Sequence, residues 1–160
     1  LLLVGWSMRL VYTVTAFTVG HSVTLALVSL GVVTNPEALI EWLIALSIWV
    51  LAFELSRPGK HSRLWQRPWY LAALFGLLHG MGFAGALAET GLPQLHLPTA
   101  LLFFNVGIEL GQLAFIALLT VVGTFVLRLS QASWIKIAPV YVLGAVSTYW
   151  LLDRTGALLG

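Results

Sequence analysis

Two histidines and a glutamate lie deep within apolar stretches of this sequence, where ionisable side chains are rare. His21, His79 and Glu109 each have apolar residues on both sides. Imidazole nitrogens and carboxylate oxygens, without a thiolate, suit a borderline divalent ion such as nickel, cobalt, zinc or iron. Met81, close after His79, could add a thioether ligand, so copper stays open as well. These residue types predict a site for a divalent transition metal ion.

The composition places these residues in a membrane protein. Of the 160 residues, 59% are hydrophobic and only 9% are charged, and the mean hydropathy is +0.96. A soluble domain of this size has too small a core to bury so much apolar surface. The apolar runs lack the alternation of membrane-spanning strands, so we expect helices. The absence of cysteine excludes disulfides and thiolate metal sites, and the basic residues lie in loops, so we expect no nucleic-acid partner.

Five segments have the length and composition of membrane-spanning helices, separated by polar turns and prolines. The predicted fold is therefore an all-α integral membrane protein, a single domain with five transmembrane helices. The predicted spans cover approximately residues 10–31, 37–54, 69–88, 99–128 and 134–152. At about 1.5 Å per residue, His21, His79 and Glu109 each lie roughly 15–17 Å from the start of their span. All three are thus expected near the middle of the bilayer.

The basic residues fix an orientation for these spans. With five spans, Arg154 is the only Lys or Arg on one side of the membrane. The basic residues on the other side are Arg9, Arg57, Lys60, Arg63, Arg67, Arg128 and Lys136. Lys and Arg accumulate on the cytoplasmic side of membrane proteins, so the loop 57–67 is predicted to be cytoplasmic. The turn TNPE (residues 34–37) and the C-terminus are then external. We expect a multi-pass protein of the bacterial inner membrane, with the lipid bilayer as its immediate partner.

One face of the fourth span carries three polar residues. Asn105, Glu109 and Gln112 are spaced i, i+4, i+7, so they project from the same side of a helix. Glu41 lies about one turn below the external surface, so a polar path leads from outside to the imidazoles. The predicted metal ligands are His21, His79, Glu109 and Glu41. The predicted supporting polar residues are Asn105, Gln112, Thr18 and Ser22.

A structural role for these polar residues stays open beside the functional one. Buried polar side chains in membrane bundles often serve only to join helices, each contributing about 0.6 kcal/mol. Gly76 and Gly80, spaced four residues apart beside His79, predict in either case that another helix approaches closely there.

Four segments of the chain strongly resemble the HupE/UreJ family. They are AFTVGHSVTLAL (residues 16–27), EALIEWLIALSIWVLAFE (37–54), FGLLHGMGFAGALAETGLP (75–93) and FFNVGIELGQLA (103–114). Members of this family are regarded as nickel or cobalt permeases associated with hydrogenase and urease gene clusters. The resemblance implies a role along the metal route for the polar residues of these segments. The family usually has an earlier helix with an Asp-His pair, which has no counterpart here; restoring it would give six spans and an external N-terminus.

We therefore expect a secondary transporter that moves a divalent transition metal, nickel or cobalt first, inward. Zinc, iron or copper remain possible cargoes, and we expect no tightly bound cofactor. Nothing resembles a nucleotide-binding loop or a catalytic motif, so neither an ATP motor nor an enzyme is predicted. Two alternatives stay open. One is a non-catalytic subunit of a larger membrane assembly or homo-oligomer, and the other is an electron carrier with haem ligated by His21 and His79.

Overall fold

The described part of the chain is almost entirely helical. The computed structural model describes residues 8–57, 67–89, 96–129 and 134–159, and within these ranges it contains no strand. The helices are α1 (Met8–Ser29), α2 (Glu37–Leu55), α3 (Pro68–Glu89), α4 (Leu97–Leu129) and α5 (Trp134–Leu159). The predicted all-α membrane fold is confirmed. Of the residues used for the orientation, Lys60, Arg63 and the side chain of Lys136 lie outside the described part.

Four of the helices, α1 to α4, are long and apolar enough to cross a membrane. Their ends lie within about two residues of the predicted span limits. The helix α5 is not among these four. It has 26 residues, continues to Leu159 past the predicted end at residue 152, and includes Pro139, Asp153 and Arg154. Its crossing of the membrane stays a prediction.

The helices α1 and α3 form the most extensive pair of the bundle, and glycines bring their backbones together. A Cβ atom added to Gly76 or Gly80 of α3 would collide with the carbonyl oxygen of Phe17 or His21, respectively. Gly20 makes the reciprocal contact from α1 to the backbone of α3. Small residues permit such close crossings in membrane bundles. The close approach predicted from the glycine spacing is confirmed, and the approaching helix is α1.

A second pair is formed by α2 and α5. The Cβ atom of Ala52 lies 3.9 Å from the position that a Cβ on Gly144 would occupy. Further along, Trp42 Nε1 donates a hydrogen bond of 2.9 Å to Thr155 Oγ1. Ser147, on the α5 segment between these two contacts, is completely buried. Because α2 also packs on α3, it joins the two helix pairs.

The longest helix, α4, has 33 residues and packs on α1. Its first turns join an apolar cluster of Leu25, Ala84, Leu97 and Leu101, at the end of the bundle that holds the TNPE turn. Most of its remaining length exposes large apolar side chains such as Phe125. Such a surface is suited to contact with lipid.

The turn between α1 and α2 is attached to α3. Gly31 takes a φ of 72°, and Val32 N–H donates to the carbonyl oxygen of Leu27 at 2.9 Å, which is the left-handed glycine ending common to helices. Asn35 Nδ2 then donates to the carbonyl oxygen of Met81 at 2.9 Å. The TNPE turn is thereby held against the segment of α3 that carries a predicted ligand.

The glycine contacts generate a first prediction. Gly80→Leu should lower the melting temperature of the detergent-solubilised protein, because the new side chain meets backbone of α1 that cannot move aside; overpacking typically costs about 1–3 kcal/mol. The matched control is Gly111→Leu, since Gly111 has no described atom within 4 Å of its added Cβ. Equal melting of the two variants would show that the α1–α3 crossing tolerates side chains.

Candidate metal-binding site

A cavity of about 430 Å³ lies between the helices, and all five contribute to its lining. Aromatic rings from α1, α3 and α5 form much of its wall: Phe17, Phe83 and Trp150. The polar and charged lining residues are His21, Glu41, His79, Gln112 and Arg154. The cavity thus collects three of the four predicted ligands, together with one predicted supporting residue and an arginine.

His79 enters the cavity with one ring nitrogen already engaged. Its Nδ1 lies 2.8 Å from the carbonyl oxygen of Phe75 on the preceding turn. A carbonyl oxygen can only accept, so Nδ1 carries a proton. A backbone hydrogen bond of this kind also fixes ring orientation in histidines that bind metal. Nε2 is therefore the His79 nitrogen that could bind a metal ion.

His21 is the most deeply buried of the predicted ligands, with 4% of its surface exposed. Its ring stacks on Phe17 at a centroid distance of 6.0 Å and packs against Phe83 at 6.1 Å. Neither Nδ1 nor Nε2 has a hydrogen-bond partner among the described residues. Burying a polar group without a partner costs about 1–3 kcal/mol. Both nitrogens are therefore available to a metal ion, water or another polar molecule in the cavity.

Glu41 forms an ion pair with Arg154 across the α2–α5 interface. The distance from Arg154 Nε to Glu41 Oε2 is 3.5 Å, and both side chains are about half exposed. In the sequence, Arg154 served only to orient the helices, and its place beside the predicted ligands was missed. A signal for it existed, because Glu41 and Arg154 are charges of opposite sign near the external ends of their predicted spans.

Glu109 is not part of this cavity lining, although its neighbours Ile108 and Gln112 are. Its Oε1 accepts a hydrogen bond of 2.7 Å from Thr15 Oγ1 on α1. Thr15 was also not predicted, because α1 carries several Ser and Thr residues and nothing in their spacing distinguishes this one. The structure therefore gives Glu109 a protein partner apart from the two imidazoles.

Of the predicted supporting polar residues, one lines the cavity and the others do not. Gln112 lines the cavity, and its buried Oε1 has no partner among the described residues. Asn105 Nδ2 donates to the carbonyl oxygen of Leu101 in its own helix at 2.8 Å, which leaves its Oδ1 buried and unpaired in the described part. Thr18 and Ser22 each donate to a carbonyl oxygen one turn earlier in α1. Neither hydroxyl lines the cavity.

The described residues do not form a closed metal centre. No group of three or more His, Asp or Glu side chains within them is close enough to hold one ion. The cavity instead offers two imidazoles, a carboxylate paired with an arginine and a side-chain amide.

Comparison with known proteins gives a family but no individual relative. The family model described as HupE / UreJ protein matches residues 1–154. The match extends through most of α5 and includes Arg154, beyond the four segments whose motifs are distinctive. No curated protein and no solved structure matches the chain. The chain belongs to the HupE/UreJ family, which is associated with nickel and cobalt transport.

Proposed function

We propose that this protein is a permease that carries a divalent transition metal ion, nickel or cobalt, inward across the bacterial inner membrane. The observation that carries the proposal is His21, a buried imidazole with two unpartnered nitrogens in a cavity shared with His79. The metal is cargo, and the protein needs no resident cofactor.

The two imidazoles are suited to a transient nitrogen site. Both rings contact Phe17, with His79 at 5.5 Å in an edge orientation and His21 stacked at 6.0 Å. Neutral imidazole binds nickel, cobalt and zinc well, whereas calcium and magnesium prefer oxygen ligands. The site therefore favours transition metals over the more abundant hard cations.

Carboxylates on either side of the imidazoles complete the proposed route. Among the residues of α2 that line the cavity, Glu41 lies nearest the TNPE turn. Glu41 would therefore receive the ion first. Glu109 would act at a further step, because it lies on the same face of α4 as Gln112 and within one turn of it. The basic residue distribution assigns the TNPE end to the outside. A divalent cation moving from there to a negative interior gains about 4–5 kcal/mol per 100 mV.

Metal binding by purified protein tests this proposal directly. We expect stoichiometric nickel or cobalt binding by calorimetry and elemental analysis. His21→Ala and His79→Ala should each weaken it by more than the roughly 10–100-fold that loss of a mere supporting residue costs. His96→Ala is the matched control, because His96 is exposed at the start of α4 and does not line the cavity.

Three results would contradict the proposed metal site. Folded wild-type protein that binds no divalent ion would favour the assembly-subunit reading. A Soret absorbance lost in both cavity variants would favour haem ligation. Equal losses in all three histidine variants would place the binding outside the cavity.

The hydrogen bond from Thr15 to Glu109 gives a separate prediction about transport. Thr15→Val should leave equilibrium metal binding unchanged, because neither residue lines the cavity. It should slow metal uptake into proteoliposomes about 2–10-fold, since a net hydrogen bond contributes about 0.5–1.5 kcal/mol.

The control for this variant is Thr13→Val, whose hydroxyl donates only to the carbonyl oxygen of Arg9 in its own helix. Uptake that falls equally in both variants would assign the effect to α1 itself and remove Glu109 from the route.

A further inference from the structure

An arginine lines the cavity that is proposed to receive a cation. Arg154 shares the lining with both imidazoles and lies 3.5 Å from the only carboxylate that the described lining contains. Arginine keeps its positive charge at any physiological pH. Its presence therefore opposes the entry of a metal ion, unless the guanidinium leaves when the ion arrives.

The position of Arg154 is set by contacts on both sides of it. Trp150, one turn earlier on α5, lines the same cavity. Thr155, the next residue, accepts the hydrogen bond from Trp42 of α2. The helix backbone at Arg154 is thus held against α2, and only the side chain is left to move.

The ion pair itself is easy to exchange. The side chain of Arg154 is 42% exposed and that of Glu41 is 44% exposed. A pair this accessible to solvent contributes little net stability. A competing cation can therefore take the carboxylate without a large loss from the broken pair.

A second carboxylate lies ready for the guanidinium. Arg154 Nη1 is 3.8 Å from Asp153 Oδ2, whereas Nε faces Glu41. Asp153 does not line the cavity. The guanidinium can thus give up Glu41 and keep a negative partner, and each charge stays compensated before and after the exchange.

We propose that Arg154 is a tethered competitor for Glu41 that determines which cations enter the cavity. Arg154 occupies Glu41 when no metal is bound, and a divalent ion displaces it onto Asp153. A divalent ion gains twice the Coulomb energy of a monovalent ion at the same carboxylate. It can displace the guanidinium, whereas sodium or potassium cannot. This inference rests on the proposed metal transport and adds the basis of its selectivity against monovalent ions.

The test compares nickel and cobalt binding by wild type and Arg154→Gln. The variant should bind the metal about tenfold more tightly, because one unit charge is removed a few ångströms from the ligand. Potassium chloride should compete with the metal in the variant more than choline chloride of equal ionic strength does. In wild type the two salts should act alike.

Further variants distinguish competition between Arg154 and the metal ion for Glu41 from a loosening of α5. Thr155→Val removes the hydrogen bond from Trp42 at the same interface and changes no charge, so any gain in metal affinity should be much smaller than the gain in Arg154→Gln. Asp153→Asn removes the second carboxylate, so the guanidinium stays on Glu41 and affinity should fall. In a Glu41→Gln background, the gain from Arg154→Gln should largely disappear.

The outcomes also separate this inference from the proposed function. Binding that needs His21 but is unchanged or weakened in Arg154→Gln would overturn the competitor role and leave the transport site standing. A gain of equal size in Thr155→Val would also overturn it. No binding by folded wild type and none by Arg154→Gln would overturn both, whereas wild-type binding that tightens in Arg154→Gln and is lost again with His21→Ala would support both.

Discussion

The direct backbone contact between α1 and α3 sets the relative position of the two imidazoles, on which the rest of the site depends. Gly76 and Gly80 let the carbonyl oxygens of Phe17 and His21 approach α3 without intervening side chains. His79 directly precedes Gly80, so both imidazoles contact the same phenyl ring, that of Phe17. A wider crossing would separate the nitrogen donors, and no choice of side chains elsewhere could restore the pair.

The aromatic residues of the cavity and its Glu41–Arg154 ion pair would act on different properties of a bound ion. Phe17 and Phe83 surround His21 with surface that offers no hydrogen bonds, which strengthens any electrostatic interaction with the nitrogens. Glu41 and Arg154 remain half exposed, where water weakens their attraction. The imidazoles therefore lie deep and the exchangeable charges lie at the edge, an order that under the proposed function would allow an ion to be selected before it is dehydrated.

Much of the fold could be predicted from the sequence, but the direction in which individual side chains face could not. Helix lengths follow from the hydrophobic runs, and the crossing of α3 follows from its glycine spacing. The first three helices are apolar on nearly all sides, so composition gives no indication of which side faces the bundle. That is why the contact of Thr15 on α1 with Glu109 was not predicted, and Glu109 was grouped with the imidazoles by its depth instead. The pairing of Arg154 with Glu41 was not predicted either, since opposite charges alone do not show which helices are neighbours.

The glycines of α4 differ from those of α3 in how closely they contact neighbouring helices. Gly107, Gly111 and Gly123 have no described atom within 4 Å of an added Cβ, so they interlock with nothing in the described bundle. The contacts of α4 are instead made by side chains, in the apolar cluster at its first turns and in the hydrogen bond from Thr15 to Glu109. A change in the tilt of α4 would therefore alter these side-chain contacts without separating the backbones of α1 and α3.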